Sequence, residues 1–338
     1  MGRFAATSVA GRPREDFGLD VARAAFAADV REGLLRPTKK IPPRYFYDAV
    51  GSALFEAITE LPEYGLTRAE ERILRARAAD LARLLPRGVA VAELGPGSGR
   101  KTVPVLDALV ARQCEVTYTA IDVSAAALES CGHSVAGRPG VRFRQILASY
   151  LDGLRLLEVA QLRDAPLVVL FLGSAIGNFE GQETLEFLRG VRARLRQGDA
   201  LVIGADLKKS VERLLAAYDD PLGVTAAFNL NLLSRINREL GGDFDVRAYR
   251  HEARWSEREW RIEMHLLSLR PQVVTVRAAG CRVPMAAGET IWTESCRKFD
   301  PAELSALASS SGFTSVAQWT DPEWPFTESL WLAGPGDA

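Results

Sequence analysis

Apolar residues recur at helical spacing over residues 20–35 (DVARAAFAADVREGLL), over 54–61 (LFEAITEL) and from Thr67 to about Leu85, so each stretch is read as a helix with one buried stripe. Thr67 with Glu70 three residues on has the form of a capping box for the third helix. Between the first two, RPTKKIPPRYFYDAVGS is broken by Pro37, Pro42 and Pro43 and reads as a loop. Its aromatic content is high for a loop, which marks it as a candidate binding surface. From residue 89 the period changes. VAVAEL, VTYTAID, VRFRQIL, PLVVLFLG and DALVIGADL are short apolar runs with helical stretches between most of them. Strands alternating with helices predict an α/β fold with a doubly wound parallel sheet. Residues from about 210 to 298 break that rhythm with a helical stretch, TAAFNLNLLSRINREL, and strand-like runs, ARWSEREWRIEMHLLSL and QVVTV. After Phe299 the chain returns to a helix, PAELSALASSSG, and two strands, TSVAQWT and ESLWLAG.

The expected organisation is therefore a main domain from 69–208 and 299–338, carrying an insertion. The insertion, 209–298, packs with 20–68 to form a second, smaller α+β domain, and residues 1–19 are expected to be a disordered tail. That tail carries Arg3, Arg12 and Arg14 before its first acid and faintly resembles a transit peptide, but disorder is the preferred reading.

The first strand of the main domain runs into Gly95-Pro-Gly97-Ser-Gly99. Glycines at this place let the backbone turn sharply and let a ligand approach closely. Asp122 ends the next strand, 23 residues after Gly99, where a carboxylate can accept both ribose hydroxyls of a nucleoside. The G-x-G-x-G spacing differs from the G-x-G-x-x-G of dinucleotide sites. GPGSGRKT also differs from a P-loop, because Arg100 stands where that motif needs the glycine before its lysine. The pair of features resembles the cofactor site of Rossmann-like, class I methyltransferases; a tight turn with no ligand, or a nucleotide enzyme, remains open at this point.

Composition narrows the partners. The 338 residues carry 42 basic and 43 acidic side chains, a net charge of −1, so a global basic field for nucleic acid is absent. The cysteines (114, 131, 281, 296) and histidines (133, 251, 265) show no metal-ligand spacing, so no metal is expected. A reducing, cytoplasmic setting fits such cysteine usage. No apolar run approaches the roughly 20 residues of a membrane helix, and a monomer acting on a small molecule is expected.

Several long segments then resemble one family, the ergothioneine-pathway L-histidine Nα-methyltransferases. They are YFYDAVGSALFEAITELPEYGLTRAEERIL (45–74), ELGPGSGRKT (93–102), FLGSAIGNF (171–179), AYDDPLGVTAAFNLNLLSRINREL (217–240), DFD (243–245), IEM (262–264) and GETIWTESCRKF (288–299). The resemblance implies an S-adenosylmethionine site with contacts from Gly95, Gly97, Lys101 and Asp122, with Ser149 at the adenine end. It implies that Asn178 and Tyr218 hold the substrate's α-carboxylate and amine, with Tyr64 on the same side and Tyr47 beside the amine. Asn178 and Tyr47 are the residues closest to the chemistry. Glu294 and Cys296 would face the imidazole, with Met264 packing nearby.

These residue types suit the reaction. The amine must be neutral to attack a sulfonium methyl group, so positioning matters more than a strong base. Asn and Tyr clamp a carboxylate without the raised amine pKa that an extra anion would cause. Aromatic faces tolerate the quaternary product at ~0.5–2 kcal/mol. A buried carboxylate at Glu294 would favour histidine over apolar amino acids, because leaving it unpaired is costly.

Three positions depart from the family. Cys296 stands where the family usually has Ser, and a thiol is the weaker hydrogen-bonding group. Ser149 stands where it often has an acid, and Gly65 replaces a second Tyr after Tyr64. Taken alone, Tyr47 and Tyr64 read as anchors of the loop, Asn178 as a turn residue, Glu294 as a surface carboxylate and Met264 as core. The expected reaction is stepwise trimethylation of L-histidine. The alternatives are another amino acid (Tyr, Trp or a thiolated histidine) or a silent binder of S-adenosylmethionine or an amino acid.

Overall fold

A computed structural model describes residues 14–159 and 165–334. The first helix, α1 (Arg14–Leu35), starts before the expected residue 20; residues 1–13 of the expected tail lie outside the described residues. A short strand β1 (Lys39–Lys40) and a 3-10 turn (Pro43–Phe46) lead to α2 (Ala49–Thr59) and α3 (Leu66–Leu84). Helix α2 begins earlier than its apolar stripe because the Asp48 carboxylate caps it, accepting from Gly51 N at 2.7 Å.

The main sheet alternates with helices as expected: β2 (Ala90–Leu94), α4 (Val103–Gln113), β3 (Val116–Asp122), α5 (Ala125–Val135), β4 (Val141–Leu147), α6 (Tyr150–Val159), β5 (Leu167–Phe171), α7 (Gln182–Arg192) and β6 (Ala200–Asp206). The insertion holds α8 (Val211–Tyr218), which its sequence pattern did not announce, and α9 (Val224–Leu240). Five strands follow: β7 (Tyr249–Ser256), β8 (Arg261–Ser268), β9 (Gln272–Val276), β10 (Cys281–Met285) and β11 (Thr290–Arg297). The chain ends with α10 (Pro301–Ser310), β12 (Phe313–Thr320) and β13 (Phe326–Ala333). The long run ARWSEREWRIEMHLLSL is thus an antiparallel hairpin of β7 and β8.

Seven strands form the main sheet in the order β12-β13-β6-β5-β2-β3-β4, with β13 antiparallel to both its neighbours and the rest parallel. This is the doubly wound α/β sheet of the sequence reading. Strands β5 and β6 are buried along their whole length, as a parallel sheet covered on both faces requires. Alternate residues feed separate cores: Val169 and Phe171 pack on one face, Val168 and Leu170 on the other. A second sheet, β1-β11-β8-β7, joins α1, α2, α8 and α9 around a third core that includes Phe46, Phe228, Leu232 and Ile262. No helix among the described residues is long and apolar enough to cross a membrane.

The two sheets meet where β11 runs out. Phe299 N donates to Asp206 O at 3.0 Å and Lys208 N to Phe299 O at 3.1 Å, so the end of β11 continues beside the end of β6. The 3-10 turn Ala175–Asn178, after β5, packs directly on β11. A Cβ on Gly177 would lie 2.8 Å from the Arg297 carbonyl oxygen, so only glycine permits this approach.

Two sequence expectations change here. Gly65, not Thr67, is the residue that enters α3, and no side chain caps that helix. Glu70 turns inward instead and pairs with Lys101. Gly65, where the family has a second Tyr, lies under the Trp324 ring, and a Cβ there would sit 2.1 Å from that ring. The Trp324 ring occupies the space that a side chain at position 65 would take. Gly65→Ala should therefore cost about 1–3 kcal/mol by overpacking. Thermal denaturation should show a melting point lower by several degrees; an unchanged value would mean the Trp324 ring yields freely.

Candidate functional site

A cavity of about 1020 Å³ opens at the carboxyl ends of β2, β3 and β5, the end at which open α/β sheets bind ligands. It continues beneath α2 and α9 to β11, so both sheets wall it. The sequence-predicted residues Tyr47, Tyr64, Gly95, Gly97, Lys101, Asp122, Ser149, Asn178, Tyr218, Met264, Glu294 and Cys296 all border it.

The glycine loop forms one end. Gly95, Gly97 and Gly99 have φ of 72°, 55° and 68°, a region that L side chains enter only with strain. The Asp122 carboxylate is buried and accepts from Ser124 N at 2.9 Å. Burial pushes its pKa up, and backbone N–H groups of Ser124, Val123 and Gly97 hold part of that rise back. A turn free of side chains and a buried acceptor beside it fit a nucleoside with ribose hydroxyls. The Ser149 hydroxyl sits exposed at this end and donates to Asp152 Oδ2 at 2.7 Å, so a carboxylate stands one helical turn away from its expected place.

Lys101 lies on the cavity wall with its ammonium against Glu70, which also accepts from Gly173 N. Burial alone would lower the lysine's pKa, but Glu70 more than offsets it and the net shift is upward. The ammonium of this lysine is therefore held by an acidic side chain of the chain itself. Glu328 stands beside Glu70, and burial and that neighbour push its pKa well up, so it is held as a neutral acid. Glu93 is also buried; its pKa rises to about 7 by burial, although Thr102 Oγ1 at 2.6 Å and Tyr118 OH at 2.5 Å donate to it. These acids support the floor of the loop rather than face the cavity.

The other end is aromatic. Tyr47 lies edge-on to Phe55 and Phe228 at 5.7 and 5.9 Å between centroids, and Tyr64 edge-on to Tyr218 at 6.0 Å. Burial pushes the phenols of Tyr47, Tyr64 and Tyr218 well above their ordinary range, so all three remain neutral donors. Polar groups interrupt the box on one side. Asn178 Nδ2 donates to Glu294 Oε1 at 3.4 Å, and Cys296 Sγ donates to Asn178 Oδ1 at 3.8 Å. Met264 is paired with Glu294 across β8 and β11 and is buried behind it. Burial raises Glu294 to about 7, and it raises the Cys296 thiol well above its ordinary value, so Cys296 is no thiolate.

Three contributors were not picked out from the sequence. Phe55 and Phe228 complete the aromatic box, and neither spacing nor motif separates them from core residues. Lys298 lies fully buried behind Tyr218 and donates to its hydroxyl at 2.8 Å. His251 stays outside the cavity: its Nε2 donates to the Tyr218 carbonyl at 2.8 Å, while Asn229 Nδ2 lies 2.8 Å from Nδ1. His265 stacks on Trp292.

The chain matches the profile of the family described as histidine-specific methyltransferase, SAM-dependent, over residues 26–333. It is 41% identical over 312 residues to histidine N-alpha-methyltransferase of Mycolicibacterium smegmatis, covering 92% of this chain and 96% of that one. It is equally similar, 41% over 314 residues, to the enzyme of the same name from Mycobacterium tuberculosis, covering 93% and 96%. Ergothioneine biosynthesis protein 1 of Neurospora crassa is 30% identical over 315 residues, 89% of this chain but 35% of that longer protein.

Glu294 makes a testable contribution to stability. Its folded pKa of about 7 lies above its ordinary value of 4.5, so the fold prefers the neutral acid. That preference is fully present below pH 4.5 and is lost as the pH rises through 7, on the order of 3 kcal/mol in all. Glu294→Gln, which is always neutral, should gain stability over the parent as the pH rises from 5 to 8 in denaturant titrations. A constant difference across that range would show that Glu294 titrates normally.

Proposed function

Because this chain belongs to the histidine-specific, S-adenosylmethionine-dependent methyltransferase family, we propose that it methylates the α-amine of L-histidine stepwise to the trimethylated betaine, as in ergothioneine biosynthesis. The observation that carries the reading is one cavity joining a nucleoside-shaped glycine loop to an aromatic box with Asn178, Glu294 and Cys296 on one wall. S-adenosylmethionine supplies a methyl group made electrophilic by its sulfonium. Residues 69–208 and 299–338 would hold it, through Gly95, Gly97 and Asp122, with Lys101 offering a cation near its carboxylate and Ser149 at its adenine. Residues 20–68 and 209–298 would hold the amino acid.

Within that division, Tyr218 and Asn178 donate to the substrate carboxylate or accept from its amine, and Tyr64 closes the same side. None of the three is charged, so the amine loses its proton without a penalty from a neighbouring anion. Tyr47, with Phe55 and Phe228, surrounds the nitrogen as methyl groups replace its N–H bonds, and their faces suit the final cation. Glu294 accepts from the imidazole N–H, and Met264 fills the space behind. The reading is of action as a monomer on a small molecule. The four cysteines are free, which supports a reducing, cytoplasmic setting.

A second reading rests on Cys296. Its sulfur stands 3.8 Å from Asn178 Oδ1, a weak contact where a hydroxyl would bind more firmly. Looser recognition of the ring would admit tyrosine, tryptophan or a thiolated histidine. Mass spectrometry of a single reaction with equimolar histidine, tyrosine and tryptophan separates the readings. Three added methyl groups on histidine alone are expected; product on another amino acid moves the specificity, and no product favours a silent binder. Glu294→Gln should raise KM for histidine about tenfold or more while leaving cofactor affinity unchanged, and an unaltered KM would remove Glu294 from ring recognition.

A further inference from the structure

Lys298 is 1% exposed and lies at the end of β11, directly behind the cavity wall. Burying an ammonium is costly unless it is paired. Its ion partner is Asp206, 3.0 Å from Nζ to Oδ2, but that oxygen receives no aligned hydrogen bond. Asp206 is already served by Lys209 Nζ at 2.5 Å and by Trp324 Nε1 at 2.9 Å. Two ammonium groups thus share one carboxylate. Lys209 has its pKa pushed down to about 8 by burial, with Lys298 adding to that shift. The surplus positive charge lies against Tyr218, whose hydroxyl Lys298 contacts at 2.8 Å.

The ammonium end sets the direction of the contacts that follow it. An ammonium has donors only, so the Tyr218 oxygen must accept from Lys298 and its own O–H must point elsewhere. That O–H meets the Cys296 sulfur. The Cys296 S–H faces Asn178 Oδ1, and Asn178 Nδ2 faces Glu294 Oε1. The Cys296 S–H also lies within reach of Glu294. From the ammonium end, the chain Lys298–Tyr218–Cys296–Asn178–Glu294 runs in one direction, donor to acceptor.

Resting on the histidine reading above, we infer that Lys298 is a positioning residue: it forces the Tyr218 hydroxyl to act as a donor toward the cavity, and so pre-sets the wall for the substrate's carboxylate. Cys296 is the intermediate link that carries the same orientation to Asn178 and Glu294. An arriving carboxylate takes the Tyr218 proton's hydrogen bond from sulfur, a weak acceptor, and loses little in the exchange. The surplus charge behind Tyr218 favours an anion there without presenting a cation to the amine.

The test is a double-mutant cycle in the full chain, read as histidine Kd by calorimetry with S-adenosylhomocysteine present. Lys298→Met should weaken histidine binding about tenfold or more and leave S-adenosylhomocysteine affinity within about twofold. Lys298→Arg, which keeps a buried donor, should recover most of the loss. In a Tyr218→Phe background, Lys298→Met should have almost no further effect, because Lys298 acts through the hydroxyl. Equal losses with and without the hydroxyl, or failure of Lys298→Arg to rescue while the protein stays folded, would overturn the inference. If Lys298→Met does not fold, Lys298→Ala, which also removes the donor, replaces it in the same Tyr218→Phe comparison and is judged by the same outcomes. Parent protein that does not bind histidine would instead overturn the histidine reading, and the cycle would then be run with the amino acid that the substrate panel identifies.

Discussion

Everything at the site depends on how closely the turn after β5 can approach β11. That turn carries Asn178; β11 carries Glu294 and Cys296. Gly177 presents no Cβ toward the Arg297 carbonyl, and a methyl group there would need a gap that 2.8 Å does not provide. The backbones therefore touch, and the side chains one residue away meet across the seam. Backbone bonds from Phe299 to Asp206 and from Lys208 to Phe299 hold the same seam further along. The seam joins two sheets that otherwise have separate cores. A cavity walled by both can then hold its groups as rigidly as either core holds its own.

The sheet was readable because its physics is local. Strands such as PLVVLFLG are buried on both faces and show it as unbroken apolar runs, and the glycine loop shows its left-handed backbone as glycine. The site residues were readable by another route, through long segments shared with a family, and the cavity borders every one of them. What stayed hidden depends on contacts between distant residues. Glu70 looks like a helix cap beside Thr67, yet the nearby Lys101 outcompetes the helix terminus for its carboxylate. Gly65 carries no sign in the sequence that the ring of Trp324, far along the chain, lies against its backbone. Phe55 and Phe228 carry no mark that distinguishes a box wall from ordinary core.

Beneath the glycine loop lies a second design constraint. Glu70, Glu93 and Glu328 are all buried within reach of one lysine. Gly204 makes the packing possible, since a Cβ there would lie 2.3 Å from Glu70 Oε1 and 2.7 Å from Glu328 Oε1. Crowding three carboxyls around one ammonium in a low dielectric pushes the pKa values of Glu93 and Glu328 upward, with burial the larger cause for both. The loop thus rests on a buried acidic cluster anchored by the Lys101–Glu70 ion pair.

The ends of the inserted segment, at Leu207 and Phe299, lie side by side. A segment whose two ends are adjacent can lengthen, shorten or be exchanged with little disturbance to the host sheet, because only one pair of chain crossings must be kept. Recombination between relatives can then trade one inserted unit for another while β2, β3 and their loop stay as they are. The N-terminal stretch limits that freedom, since Ile41 N donates to Trp292 O at 2.9 Å and ties β1 to the insert. New substrate preferences are most easily acquired when residues 39–41 and β11 travel together.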